Sequence, residues 1–143
     1  MDAVLTCMVD ERIGPGELNA RFIQSVKEFF KCDGAVAVRS PSIALKYAMK
    51  ALGAEIGTPV MISALAPSWQ ILALEEFGYT PLVLDIDEAT ALVTADIVSE
   101  GIKKGGRILL LHETNGIMPD MDAIASLGIP VIEDISQSVG SSA

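Results

Sequence analysis

Ile108-Leu109-Leu110-Leu111 is an unbroken apolar run of strand length, bounded by Arg107 and His112. A strand with one wet face alternates apolar and polar side chains, so a run without alternation is buried on both faces. Two covered faces mean a parallel sheet with helices on each side, and the rest of the chain is patterned to supply them. Val60–Ser63, Pro81–Asp85 and Pro130–Asp134 read as further strands, and Ala35–Val38 as a fifth.

Helical spacing fills the intervals. Leu18, Phe22, Ile23, Val26, Phe29 and Phe30 fall on one face after Gly14-Pro15-Gly16, and Ile43, Tyr47, Ala48, Ala51 and Leu52 recur with helical period until Gly53. Segments 67–77 and 120–127 read as two more helices, and Thr94 is placed to cap another whose last turn holds Lys103 and Lys104. Five strands alternating with helices make a three-layer α/β/α sandwich with a mainly parallel sheet. With 143 residues, half of them apolar and only 5% aromatic, the core is aliphatic. A chain of this length buries roughly 68–70% of its unfolded surface, enough for one domain.

Nineteen Asp and Glu against ten Lys and Arg give a formal charge of −9. That sign repels nucleic acid and anionic membrane, so neither is an expected partner. The N-terminal apolar stretch is short and broken, with Asp2 and Asp10 in it, and fits neither a signal peptide nor a membrane span. Cys7 and Cys32 are too few for a disulfide framework and lack metal-ligand spacing. A cytoplasmic protein is the expectation.

Open α/β folds bind ligands outside the carboxyl ends of their parallel strands. Those ends collect Arg39, Ser40, Ser63, Asp85, His112 and Asp134. Asp134 is the first suspect, because the last strand ends in Glu133-Asp134 and Gln137 follows three residues later; its bland alternative is a helix cap or turn former. Ser40-Pro41-Ser42-Ile43 opens a helix with Ser40 as N-cap and Pro41 at the first helical position. Free N–H groups and the positive dipole end there suit a phosphate, and ordinary capping explains Ser40 and Pro41 equally well. His112, the single histidine, has no adjacent nucleophile and reads as a hydrogen-bonded structural group. Asp85 and Asp87 read as a solvated strand exit rather than a metal pair, and no metal ligands are assigned. Neither G-x-G-x-x-G after a strand nor G-x-x-x-x-G-K-[ST] occurs.

In order along the chain, Gly14-Pro15-Gly16, Ala35–Val38 before the Ser40 turn, Tyr79-Thr80-Pro81 leading to Asp85-Ile86-Asp87, His112 with Gly116, Asp120-Met121-Asp122, and Glu133-Asp134 with Gln137 and Gly140 resemble the DegT/DnrJ/EryC1/StrS family of pyridoxal-phosphate-dependent sugar aminotransferases. The resemblance implies the large domain of type I pyridoxal-phosphate transferases, with residues 1–143 as a partial large domain and the small C-terminal domain absent. It implies pyridoxal 5'-phosphate as cofactor, a nucleotide-sugar and an amino donor as small-molecule partners, and a homodimer. Asp134 then pairs with the pyridine nitrogen, Gln137 neighbours the phenolic oxygen, and Ser40, Ser42 and the N–H of Ile43 bind the phosphate. A carboxylate at the ring nitrogen keeps it protonated, and the protonated ring is the electron sink of the chemistry.

Three departures accompany the resemblance. Pro41 stands where the family has a glycine and has no N–H to donate. Pro67 stands where an aromatic ring stacks on the cofactor, with Leu65 and Trp69 two positions away and Trp69 reading as a helix-packing residue. The Schiff-base lysine of the family lies beyond the Asp and Gln motif, and no lysine follows Lys104. No catalytic residue is therefore assigned. Besides the cofactor-binding part of an aminotransferase-like protein, two readings stay open: a non-catalytic module on the same fold, and an unrelated doubly wound phosphate or nucleotide binder.

Overall fold

A computed structural model describes residues 2–10, 14 and 16–141. It divides into two units, Met1–Arg39 and Ser40–Ala143.

The first unit holds α1 (Asp2–Val9) and α2 (Glu17–Phe30). The periodicity does not anticipate α1, whose eight residues include none that is buried. Asp2 lies at the favourable dipole end, and Thr6 Oγ1 donates to the Asp2 carbonyl at 2.9 Å. Helix α2 follows its expected spacing and stops where Lys31 turns left-handed, at φ 52°. Phe29 and Phe30 meet edge to face at 4.9 Å, while Phe22 and Phe29 remain 61% and 62% exposed. A cleft of about 500 Å³ lined by Ala3, Thr6, Cys7, Leu18 and Arg21 contains none of the predicted site residues.

Ala35–Val38 is not a strand. A strand is held by ladder hydrogen bonds to a neighbour, and this segment forms none among the described residues; Val36 is 81% exposed. The sheet therefore has four strands, not five, and Arg39 and Ser40 do not follow a strand end.

The second unit carries α3 (Pro41–Ala51), β1 (Pro59–Ser63), α4 (Ser68–Glu76), β2 (Thr80–Leu84), α5 (Ala95–Lys103), β3 (Ile108–His112), α6 (Met121–Ala125) and β4 (Val131–Asp134). The strand order is β2-β1-β3-β4, and every pairing is parallel. Alternation divides the strand side chains between two cores. Val60, Ile62, Ile108 and Leu110 pack with Leu45, Met49, Ala73 and Leu74 of α3 and α4. Met61, Leu109 and Leu111 pack with Val98 and Ile124 of α5 and α6. The middle layer is thus covered on both faces, as the unbroken run Ile108–Leu111 requires.

Helix α5 lies close to the sheet because Gly101 faces it. A Cβ there would fall 2.6 Å from Met61 Sδ and 2.7 Å from a Leu84 methyl, well inside contact distance. The two caps read from sequence form, with Ser40 and Thr94 accepting from the N–H of Ile43 and Ile97, and Asp120, read only as the first residue of its helix, caps it by accepting from the Ala123 N–H.

Candidate functional site

Parallel strands put Ser63, Leu84, His112 and Asp134 at one edge of the sheet, at their carboxyl ends. His112 and Asp134 are register partners on β3 and β4, so their side chains leave the same face beyond Leu110 and Ile132. His112 Nδ1 lies 3.2 Å from Asp134 Oδ2. The same oxygen accepts from Gln70 Nε2 at 2.8 Å, and Oδ1 accepts from the Ser136 N–H at 3.1 Å.

Burial pushes the Asp134 carboxyl up, but the hydrogen bonds from Ser136 and His112 outweigh it and hold the group below its ordinary 3.8. Asp134 is therefore an anion at neutral pH. A carboxylate accepts and does not donate, so His112 Nδ1 carries the hydrogen of their contact. Burial acts without such compensation on Glu133, whose carboxyl is pushed up by desolvation and by the nearby Glu113. Alternation places Glu133 on the opposite sheet face from Asp134.

Gln137 follows β4 and reaches back to the turn after β3. Its Oε1 accepts from the Asn115 N–H at 2.8 Å, which fixes the amide so that the NH₂ is the group left to meet a ligand. The turn depends on Gly116 at φ 76°, where a Cβ would stand 2.8 Å from the Gln137 carbonyl oxygen.

At the start of α3, Ser40 Oγ accepts from the Ile43 N–H at 3.3 Å. Of the donors expected for a phosphate, the Ile43 N–H is thus already engaged and Pro41 has none. The Ser42 hydroxyl and N–H are the remaining donors of this turn. No hydrogen bond among the described residues links it to Asp134. Asp85 and Asp87 serve their own loop: Asp85 accepts from the Ile86 N–H, and Asp87 accepts from the N–H and hydroxyl of Thr90 at 2.9 and 2.8 Å. Among the described residues no three His, Cys, Asp or Glu side chains converge as metal ligands, and no helix is long and apolar enough to cross a membrane.

Trp69 packs against the core under α3 and α4 rather than standing free to stack. Its neighbour Gln70 is the residue that sequence reasoning overlooks. Its side chain is fully buried, yet its Oε1 has no partner. Helical spacing from Ala73 and Leu74 places position 70 on the buried face of α4, and a glutamine on that face was the available signal. Glu113 Oε1 and Ser138 Oγ are also buried without partners, in the segments after β3 and β4.

The sequence profile of the DegT/DnrJ/EryC1/StrS aminotransferase family matches residues 1–143. A curated relative, 3-amino-5-hydroxybenzoate synthase of Amycolatopsis mediterranei (strain S699), is 26% identical over 133 residues, covering 90% of this chain and 34% of that protein. The aminotransferase from Psychrobacter cryohalolentis superposes with a TM-score of 0.89 at 25% identity, over 99% of this chain and 37% of that one. NtdA from Bacillus subtilis, solved with bound cofactor PMP, superposes with a TM-score of 0.80 at 25% identity, over 88% of this chain and 30% of that one. The chain spans about a third of the length of these proteins.

Proposed function

The chain belongs to the DegT/DnrJ/EryC1/StrS aminotransferase family, and from that premise we propose that it forms the N-terminal, cofactor-binding part of a pyridoxal-phosphate-dependent aminotransferase-like protein acting on a nucleotide-linked keto sugar. Membership removes the reading as an unrelated phosphate binder. The observation that carries the proposal is the Asp134 carboxylate, kept anionic at the mouth of the sheet by fixed donors, with Oδ1 receiving a single N–H.

These residues fit a pyridoxal-type ligand at its ring. When bound, such a cofactor supplies an electron sink for carbanion chemistry, provided its ring nitrogen stays protonated. Asp134 holds that proton at the nitrogen. Gln137, its Oε1 engaged by Asn115, directs its NH₂ donors to the phenolic oxygen. Ser42 at the start of α3 would hold the phosphate through its hydroxyl and N–H, beside the Ser40 cap on the Ile43 N–H. The nucleotide-sugar and amino donor, the homodimer and the cytoplasmic location belong to the same proposal and follow from the family resemblance.

Trp69 is the single tryptophan, one residue before Gln70, and so reports on this region. Titration with pyridoxamine 5'-phosphate should quench its fluorescence saturably, and no saturable response in fluorescence or calorimetry would refute the reading. Pro41, which has no N–H to offer a phosphate, favours the second reading as a non-catalytic module on this fold. Borohydride reduction of native protein loaded with pyridoxal phosphate, followed by intact mass, separates the two. A pyridoxyl adduct on one lysine supports the enzyme, and reversible binding alone supports the module.

A further inference from the structure

Gln70 is costly where it stands. It occupies the face of α4 that carries Ala73 and Leu74 into the core, it is fully buried, and its Oε1 has no hydrogen-bond partner. Rotating the amide would not relieve this, because Oε1 would then face Asp134 Oδ2, an anionic oxygen that only accepts. The orientation with Nε2 toward the carboxylate is imposed, and the orphaned carbonyl is its consequence. An apolar side chain of equal size would avoid the orphan and pack with its neighbours. What Gln70 provides instead is a charge-assisted bond of 2.8 Å to Asp134 Oδ2.

That bond decides which carboxylate oxygen is free. Oδ2 receives Gln70 Nε2 and lies 3.2 Å from His112 Nδ1, which uses both of its in-plane acceptor directions. Oδ1 receives the Ser136 N–H at 3.1 Å and keeps one direction open. We propose that Gln70 is a positioning residue for Asp134: with His112 it saturates Oδ2, and so presents Oδ1 as the oxygen that meets a cationic ring nitrogen. The ligand half of this statement rests on the proposed pyridoxal-phosphate reading; the orientation of the carboxylate does not.

The test uses the whole chain and two ¹⁵N signals. His112 is the only histidine, so its imidazole nitrogens are assigned without ambiguity. In unliganded protein the wild-type spectrum should show the proton on Nδ1. In Gln70→Met, of similar size but without the donor, the carboxylate is released to turn, and the imidazole should move to a mixture of the two tautomers. The second signal is the ring nitrogen of ¹⁵N-labelled pyridoxamine 5'-phosphate. It should sit at the protonated position in wild type and move toward the free base in Gln70→Met.

Unchanged imidazole signals in Gln70→Met would overturn the proposal, as would an unchanged ring nitrogen in a variant that binds the probe. If wild type does not bind the probe, the functional reading fails, and the imidazole result alone then decides whether Gln70 orients Asp134. Should Gln70→Met fail to fold by circular dichroism, Gln70→Leu, smaller and likewise without a donor, carries the same readouts.

Discussion

His112 and Asp134 are register partners across a parallel ladder, and Nδ1 of one lies 3.2 Å from Oδ2 of the other. The contact ties the ends of two adjacent strands into one polar group at the carboxyl edge of the sheet. It also leaves the charge on Asp134, where a ring cation would need it. Replacing Asp134 by Asn keeps the shape and removes that charge. Affinity for pyridoxamine 5'-phosphate in a fluorescence titration should fall about tenfold or more, the scale of a lost hydrogen bond to a charged group.

At the proposed phosphate site, the start of α3 is short of donors, because Pro41 has no N–H and the Ile43 N–H is engaged by Ser40. Pro41→Gly returns an N–H to the first turn of α3 and should tighten the same ligand several-fold, at a stability cost of about 1 kcal/mol or more from the freer backbone. Ser42→Ala should weaken it about tenfold. Equal affinities across wild type and both variants would place the phosphate elsewhere.

Gly116 and Gly128 both sit at positive φ, 76° and 69°, but only Gly116 is crowded, by the Gln137 carbonyl at 2.8 Å. Gly128→Ala should cost about 1 kcal/mol in urea unfolding, the penalty of the left-handed backbone. Gly116→Ala should cost more, about 2–3 kcal/mol, and should disturb the Asn115 amide signal in NMR.

Asp134 titrates below 3.8 in the folded chain. A depressed carboxyl contributes stability that is full above its unfolded value and is lost as pH falls through the folded one. Wild type should therefore lose stability on acidification from about pH 5 downward, and Asp134→Asn should lose less over the same range. Equal acid profiles in chemical denaturation would contradict the sign.

Glu133 titrates above 4.5, pushed there by desolvation and by Glu113. A raised carboxyl favours the fold while protonated and loses that contribution as pH rises through the folded value. Glu133→Gln should stabilise the chain slightly at neutral pH, with the gain vanishing below the ordinary value of 4.5. Solvent around this exposed side chain keeps the effect small.

The local code of this chain is easy to read. Ile108–Leu111 announces a doubly covered strand, Ser40, Thr94 and Asp120 mark three helix starts, and Glu133-Asp134 places an acid at a strand end; the structure has each of them. All depend on neighbours within one turn or one strand, so sequence spacing suffices. Ala35–Val38 carries the same apolar signature and is no strand, because a ladder needs a partner that periodicity cannot name.

Partnership across distance was likewise invisible. His112 meets Asp134 from 22 residues away, because β3 and β4 pair in one particular register. Gln70 reaches Asp134 from 64 residues away, because α4 packs on the face to which that register turns the carboxylate. The sequence by itself determined the layered fold and the acid at its mouth, since periodicity and capping act locally. Only the tertiary structure decided which side chains hold that acid and which of its oxygens stays open, since strand register and helix packing are contacts between segments far apart in the chain.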